Sequence, residues 1–258
     1  MKKILFLGDS HLSKMASQFR KKNQTDFIIH FIPCPGPTIN DIYITQNHLC
    51  VYDRNQNYYE SFPQSDIFDF YQWYTSVKNQ IFSIESSGKI NLNNYDAFVL
   101  LGFGLLKSEP LLNLLLGDTN LNQPIEKTKN ELIKSQAITL HIKLLREILA
   151  GLENISSSIF SVPWPNINEN SDFACRNNDY INEKLLNLIN QMYDSFTIFL
   201  LEEFKSTLIK YPENLKNNNG FFTSAAFQNN EKDFNHLSAE GSMIMLDYIL
   251  YFISQNTH

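Results

Sequence analysis

Three short stretches of this chain hold the residue types of nucleophilic acyl chemistry. Gly8-Asp9-Ser10-His11 follows one apolar run. Pro35-Gly36-Pro37-Thr38-Ile39-Asn40-Asp41 follows a second. Asp233-Phe234-Asn235-His236-Leu237-Ser238 precedes an amphipathic stretch near the end. Serine is a poor nucleophile until a base accepts its proton, and an imidazole is such a base when a carboxylate on Nδ1–H leaves Nε2 free. Asp233 stands three residues before His236, a spacing that on one helical turn sets the two side by side. A serine at a strand-to-helix turn also offers its own N–H to a developing oxyanion, helped by the helix N-terminus. A glycine N–H adds to that set.

The elements that must position these residues alternate between strand and helix. Residues 4–7 read as a strand buried on both faces, ending in a glycine turn, with a helix over 12–21. Residues 27–32 form the second expected strand, closed by three prolines within residues 33–37. From about 42 to 92 the pattern is irregular and tyrosine-rich, which marks an insertion. Within it, 48–53 and 57–62 are expected to pair as a hairpin, and 66–82 to form a helix with Phe70, Trp73 and Tyr74 on one face. Residues 97–101 form a strong strand before Gly102-Phe103-Gly104, and 126–152 read as one long helix. Residues 158–162 make a strand stopped by Pro163-Trp164-Pro165. Helices are expected over 180–203 and from the N-cap Ser238 to about 253. Helix-length crossovers between strands imply a mostly parallel sheet, covered on both faces, in one domain. Ligands of such sheets bind at the carboxyl ends of the strands, where all three stretches fall.

Composition excludes several other classes. Of 258 residues, 43% are apolar and 19% charged, the balance of a folded domain. The net charge is -6 and no long basic run exists, so neither nucleic acid nor an anionic membrane is the expected partner. Cys34, Cys50 and Cys175 are odd in number and lack metal-ligand spacing. No disulfide framework, structural zinc or cofactor is expected. The apolar run after Met1-Lys2-Lys3 stops at Gly8, short of a signal peptide, and no stretch has the length of a membrane span. The expectation is a cytoplasmic protein.

The three stretches together resemble the blocks of the SGNH/GDSL hydrolases. The first block is matched by Gly8-Asp9-Ser10. Gly36 matches the oxyanion-hole glycine of the second, with Thr38 and Asp41 behind it. Asp233, His236, Leu237-Ser238 and Gly241 match the last. The resemblance frames nearly the whole chain. It implies a flavodoxin-like three-layer α/β/α fold, with Ser10 as nucleophile, His236 as base and Asp233 as its orienter. Gly-Asp-Ser-His with a His-Leu-Ser ending also resembles the SGNH domains attached to surface-polysaccharide acyltransferases. That implies a small-molecule or glycan ester as substrate, O-acetylated carbohydrate in particular. With water as acceptor the chain would be an esterase; with a sugar hydroxyl it would be an O-acyltransferase.

One block departs. Where the family carries an asparagine that donates to the oxyanion, this chain has Gly104. The expected oxyanion hole is then Ser10 and Gly36, with Gly104 at the third position and Asn113 or Asn120 as substitutes for the missing amide. His11 and Trp164 are candidate substrate contacts; the other reading packs His11 at the helix start and Trp164 in the core. Two other enzyme classes fit less well. Asp9-x-His11 with Gly117-Asp118 and Asn235-His236 echoes metallophosphoesterases, but Leu121 and Leu237 stand where ligands are needed. Gly102-x-Gly104 cannot complete a dinucleotide loop, because Lys107 holds the third glycine position. A non-catalytic binding module on the same fold is the remaining alternative, with Gly104 as its support.

Overall fold

The computed structural model describes residues 1–20, 26–60, 69–117, 125–152, 157–230 and 232–257. In chain order the first elements are β1 (Lys2–Gly8), α1 (Ser10–Phe19), β2 (Phe27–Pro33), β3 (Ile42–Thr45), β4 (His48–Val51), α2 (Gln56–Glu60) and α3 (Phe70–Ile84). Next come β5 (Lys89–Asn91), β6 (Ala97–Leu101), α4 (Ser108–Gly117), α5 (Ile125–Gln136), α6 (Leu140–Gly151) and β7 (Ser158–Val162). The last are α7 (Asp172–Asn177), α8 (Glu183–Phe204), β8 (Ser206–Leu208), β9 (Gln228–Asn230), β10 (Asp233–Leu237) and α9 (Ala239–Asn256).

The central sheet has five strands in the order β2-β1-β6-β7-β8, and all of its pairings are parallel. Alternation along each strand divides its side chains between two cores. Ile4 and Phe6 of β1 join Leu12 and Met15 of α1 and Met245, Leu246 and Ile249 of α9. Leu5 and Leu7 face the other way, with Ile142, Leu145 and Ile148 of α6 and Ile189 and Phe196 of α8. Helices therefore cover both faces of a parallel sheet, the three-layer α/β class expected from sequence. Because both faces are buried, residues 4–7 of β1 and all of β6 read as unbroken apolar runs, whereas His30 interrupts β2, Ser161 interrupts β7 and β8 carries Ser206 and Thr207.

The segment 42–92, expected to be an insertion, differs in detail from its expected pattern. Its hairpin is β3–β4, turning at Gln46 and Asn47, and β5 adds a third antiparallel strand. Both turn residues have positive φ, 45° and 62°, as a two-residue hairpin turn demands. The expected partner segment starts instead as α2, and residues 61–62 lie outside those described. Asp69 caps α3 by accepting from Gln72 N at 2.9 Å, which fixes its start; residues 66–68 lie outside those described. Asp41 ties this segment to the loop after β2. It is fully buried and accepts from Arg54 Nε at 3.1 Å and from the Tyr59 hydroxyl.

The long helix expected over 126–152 is two helices. Thr139 caps α6 by accepting from Ile142 N, so the chain breaks between Gln136 and Leu140 while the apolar period continues. The break has a use: the Gln136 side chain accepts from Leu106 N at 3.0 Å, supporting the loop after β6. The final helix starts as expected, with Ser238 accepting from Gly241 N.

A buried polar chain supports the same loop. His141 meets the Gly102 carbonyl at 3.1 Å and Ser161 Oγ at 2.9 Å, and Ser161 meets Ser206 at 2.7 Å. Burial pushes the imidazole down to about 4, against the opposing pull of the Gly102 carbonyl and of Asp9. An unfolded imidazole titrates near 6.5. Between those values the unfolded chain binds a proton that the folded chain refuses. Stability is thus complete above about 6.5 and declines as the pH falls towards 4. His30, lowered by burial and by Lys3, acts with the same sign. Moving from pH 7 to pH 5 should lower stability by ~2 kcal/mol, read as a fall in Tm. His141→Gln should flatten that dependence. An unchanged slope in the variant would mean that another group causes it.

Candidate active site

Ser10 opens α1 directly after β1. Gly8 makes the turn possible by close approach, since a methyl group there would lie 2.9 Å from Leu12 Cβ. Asp9 is the N-cap of α1, and its carboxylate accepts from His11 N at 3.0 Å. This leaves Ser10 at the first helical position, half-buried, with its hydroxyl 2.7 Å from His236 Nε2. The Nδ1 of the same ring lies 2.9 and 3.0 Å from the two Asp233 oxygens. The carboxylate accepts at Nδ1–H, so Nε2 is free to accept from the serine hydroxyl.

The pairing of Asp233 with His236 has a different origin from the expected helical turn. Both lie on β10, an irregular strand paired antiparallel with β9. Asp233 Oδ1 accepts from Asn235 N at 3.3 Å and His236 N at 3.1 Å, a side-chain turn that folds the strand back on itself. The three-residue spacing therefore works through a turn. Asn229 on β9 supports the pair, donating to Asp233 Oδ2 at 2.7 Å and accepting from Lys14 of α1. Burial opposes ionisation of Asp233, but the bonds from Asn229 and His236 outweigh it and hold the carboxyl below its usual value. Lys14 is lowered, by burial first, with Asp233 pulling the other way.

His11 does not take the expected place of a substrate contact. It is 3% exposed, and both of its ring nitrogens are engaged within the protein. Nδ1 lies 2.8 Å from Asp9 Oδ1 and Nε2 lies 2.7 Å from the Asn235 carbonyl. Its ring packs against His236 at 4.6 Å between centroids and meets Trp164 edge-on at 4.8 Å. His11 thus joins the serine helix to the histidine strand. Asp9 completes the join by accepting from Phe103 N at 3.2 Å, which ties in the loop after β6. Burial raises the Asp9 carboxyl, yet the His11 charge and the hydrogen bonds from His11 and Phe103 bring it below its usual value. Asp9 and His11 spend their polar atoms on each other and on the backbone. No cluster of three or more metal-ligating side chains forms among the described residues.

The glycine positions are backbone devices. Gly36 has φ +54° and is exposed, at the head of a 3-10 turn that ends on Asp41. Gly104 has φ +81°, half-buried, in a loop where Gly102, Phe103 and Leu106 are also left-handed. Asn113 is exposed on α4, and Asn120 and Asp118 lie outside the described residues. Trp164 is half-buried, with the Lys107 ammonium 5.1 Å from its ring centroid. Cys34 is fully buried and burial pushes its thiol up, so it offers no second nucleophile.

No described helix is long and apolar enough to cross a membrane. No protein-family model and no curated protein matches the chain. Solved structures similar to the chain include three bacterial proteins. A candidate acylhydrolase from Bacteroides fragilis is 11% identical, with a TM-score of 0.41, over 100% of this chain and 88% of that one. A candidate platelet activating factor from Streptococcus pneumonia is 15% identical, with a TM-score of 0.40, over 97% and 83%. A GDSL-like lipase from Bacteroides thetaiotaomicron is 12% identical, with a TM-score of 0.38, over 98% and 88%.

Proposed function

We propose that the chain is a serine-dependent acyl-ester hydrolase acting on O-acetylated carbohydrate. The observation that carries this reading is the unbroken relay from Ser10 Oγ through His236 to Asp233. In the first half-reaction His236 Nε2 takes the serine proton as Oγ attacks the ester carbonyl. The oxyanion forms against the N–H groups of Ser10 and Gly36, with Gly104 at the third side. His236 then protonates the departing alkoxide, leaving an acyl-serine. In the second half-reaction His236 deprotonates water, which releases the acid and restores the serine. Asp233 stays ionised throughout and stabilises the imidazolium that forms at each transfer. Trp164, partly open beside the His11–His236 pair, supports a sugar as the alcohol, because an indole ring suits the apolar face of a pyranose.

The test is covalent. An alkyl fluorophosphonate should add one phosphonyl group, located on Ser10 by mass spectrometry, and abolish turnover of p-nitrophenyl acetate. EDTA should leave turnover unchanged. Acetyl transfer to an added sugar faster than to water would move the reading to the O-acyltransferase. Labelling elsewhere, or none, would sink it.

A further inference from the structure

The hydrogen bonds of Asp9 and His11 fix a charge beside the catalytic histidine. Asp9 Oδ1 accepts from His11 N at 3.0 Å, and Oδ2 accepts from Phe103 N at 3.2 Å. With its carboxyl held below the usual value, Asp9 is an anion and has acceptors only. His11 Nδ1, 2.8 Å from Oδ1, must therefore carry a proton. On the far side of the ring, Nε2 lies 2.7 Å from the Asn235 carbonyl, which can only accept. That nitrogen must carry a proton as well. A ring protonated on both nitrogens is an imidazolium, here 3% exposed and 4.6 Å from the His236 ring between centroids.

The second proton bears on where His236 stands. β10 pairs with β9 at Asp233–Asn230 and Leu237–Gln228, and its register shifts between them. His236 lies in that irregular stretch. Its backbone is placed by the Asp233 turn, by Asn168 N on the Phe234 carbonyl at 2.9 Å, and by His11 on the Asn235 carbonyl. The last bond comes from the helix that opens on Ser10, so it sets the histidine against the serine. Without the Nε2 proton, a ring lone pair would face a carbonyl lone pair at hydrogen-bond distance, and the contact would repel. Given the serine-hydrolase reading, we propose that His11 is a positioning residue, kept as an imidazolium in the active state, whose Nε2 proton latches the Asn235–His236 segment to the serine helix. The groups facing the ring act in both senses. Asp9 on its own helix and the Asn235 carbonyl on β10 favour the proton, as does Asp233 behind His236. His236 opposes it whenever turnover makes that ring a cation. Trp164 meets the ring edge-on from the loop after β7, and the Lys107 ammonium beyond the indole also opposes.

Ring-nitrogen NMR on histidine-labelled wild type reads the charge directly. At the pH of full activity the His11 ring should show two protonated nitrogens. Raising the pH until the ring gives a proton to solvent should lower kcat on p-nitrophenyl acetate in step, reversibly, with KM little changed. His11→Phe keeps a ring beside His236 and loses both donors. It should lower kcat by ~10-fold or more at every pH, because small misplacements of a catalytic group are costly. His11→Gln has an amide that can donate to Asn235 at any pH. It should keep more activity than His11→Phe and lose less of it in alkali than wild type does. A singly protonated His11 in fully active wild type would overturn the proposal, whether or not either variant folds. An unchanged kcat once the ring is neutral would overturn the latch. Failure of Ser10 to react with a fluorophosphonate would overturn the hydrolase reading instead, and the His11 spectrum would still report the charge.

Discussion

Ser10→Ala should lower kcat on a short-chain ester by ~10⁴-fold or more while KM changes little. The variant removes the atom that attacks and leaves the donors around the carbonyl in place. Residual turnover would then come from binding and from the oxyanion donors alone. His236→Ala should fall to a similar floor, and the double variant no further, because the two groups act as one unit. Asp233→Asn should cost ~10⁴-fold by a different route. Its amide would turn a donor toward Nδ1, or force the proton to Nε2, and the serine would face a nitrogen already protonated. It would also oppose the Asn229 amide donor, now bonded at 2.7 Å. Steady-state kinetics on purified variants, each checked for a native Tm, give the measurement. A Ser10→Ala protein within tenfold of wild type would remove the relay from the chemistry.

Legibility in the sequence followed burial. Strands covered on both faces are largely apolar, so β1, β6 and β7 could be read, with the parallel sense that their helix-length crossovers imply. Ser10 sits where the β1 run ends, whereas Asp233 and His236 lie on the polar strand β10 and could be picked out only by their types and spacing before the last helix. What escaped was polar and local. Asn229 orients Asp233, but it lies in an asparagine-rich stretch where nothing distinguishes it from a loop residue. The Asp9–His11 contact had a usable signal. An N-cap carboxylate accepts from the N–H two residues on, which draws that residue's side chain towards it. Taken this way, Asp-x-His at a helix start points to an internal bond before it points to substrate or metal. The break between α5 and α6 left no mark in the apolar period, because the helices on either side pack against the same core. Only Thr139, a good N-cap in mid-pattern, betrayed it.

Gly102→Ala should be the most damaging small substitution in the chain, and Gly104→Ala its control. Both glycines have φ +81°, so each alanine bears the same left-handed backbone cost, about 1 kcal/mol. Their surroundings differ. A methyl group on Gly104 meets only Thr139 Cγ2, at 4.0 Å, whereas one on Gly102 would lie 2.0 Å from Asp9 Oδ2 and 2.8 Å from its Cγ. The carboxylate cannot step aside, because it is buried and bonded to His11 and to Phe103 N. Moving it leaves those donors unsatisfied beside an uncompensated charge, a loss of ~3–5 kcal/mol. Gly104→Ala should therefore lower Tm by only a few degrees, and Gly102→Ala by ~10 °C or more. Gly104→Asn belongs with the mild variant, since asparagine tolerates left-handed backbone better than other residues. It is also the variant that would add a side-chain donor at the third side of the oxyanion. The damage at Gly102 should reach activity too, because Asp9 joins the loop after β6 to the helix that opens on Ser10. Equal Tm losses at the two glycines would show that the backbone term alone matters. The Asp9 clamp would then have no part in holding the loop against the serine.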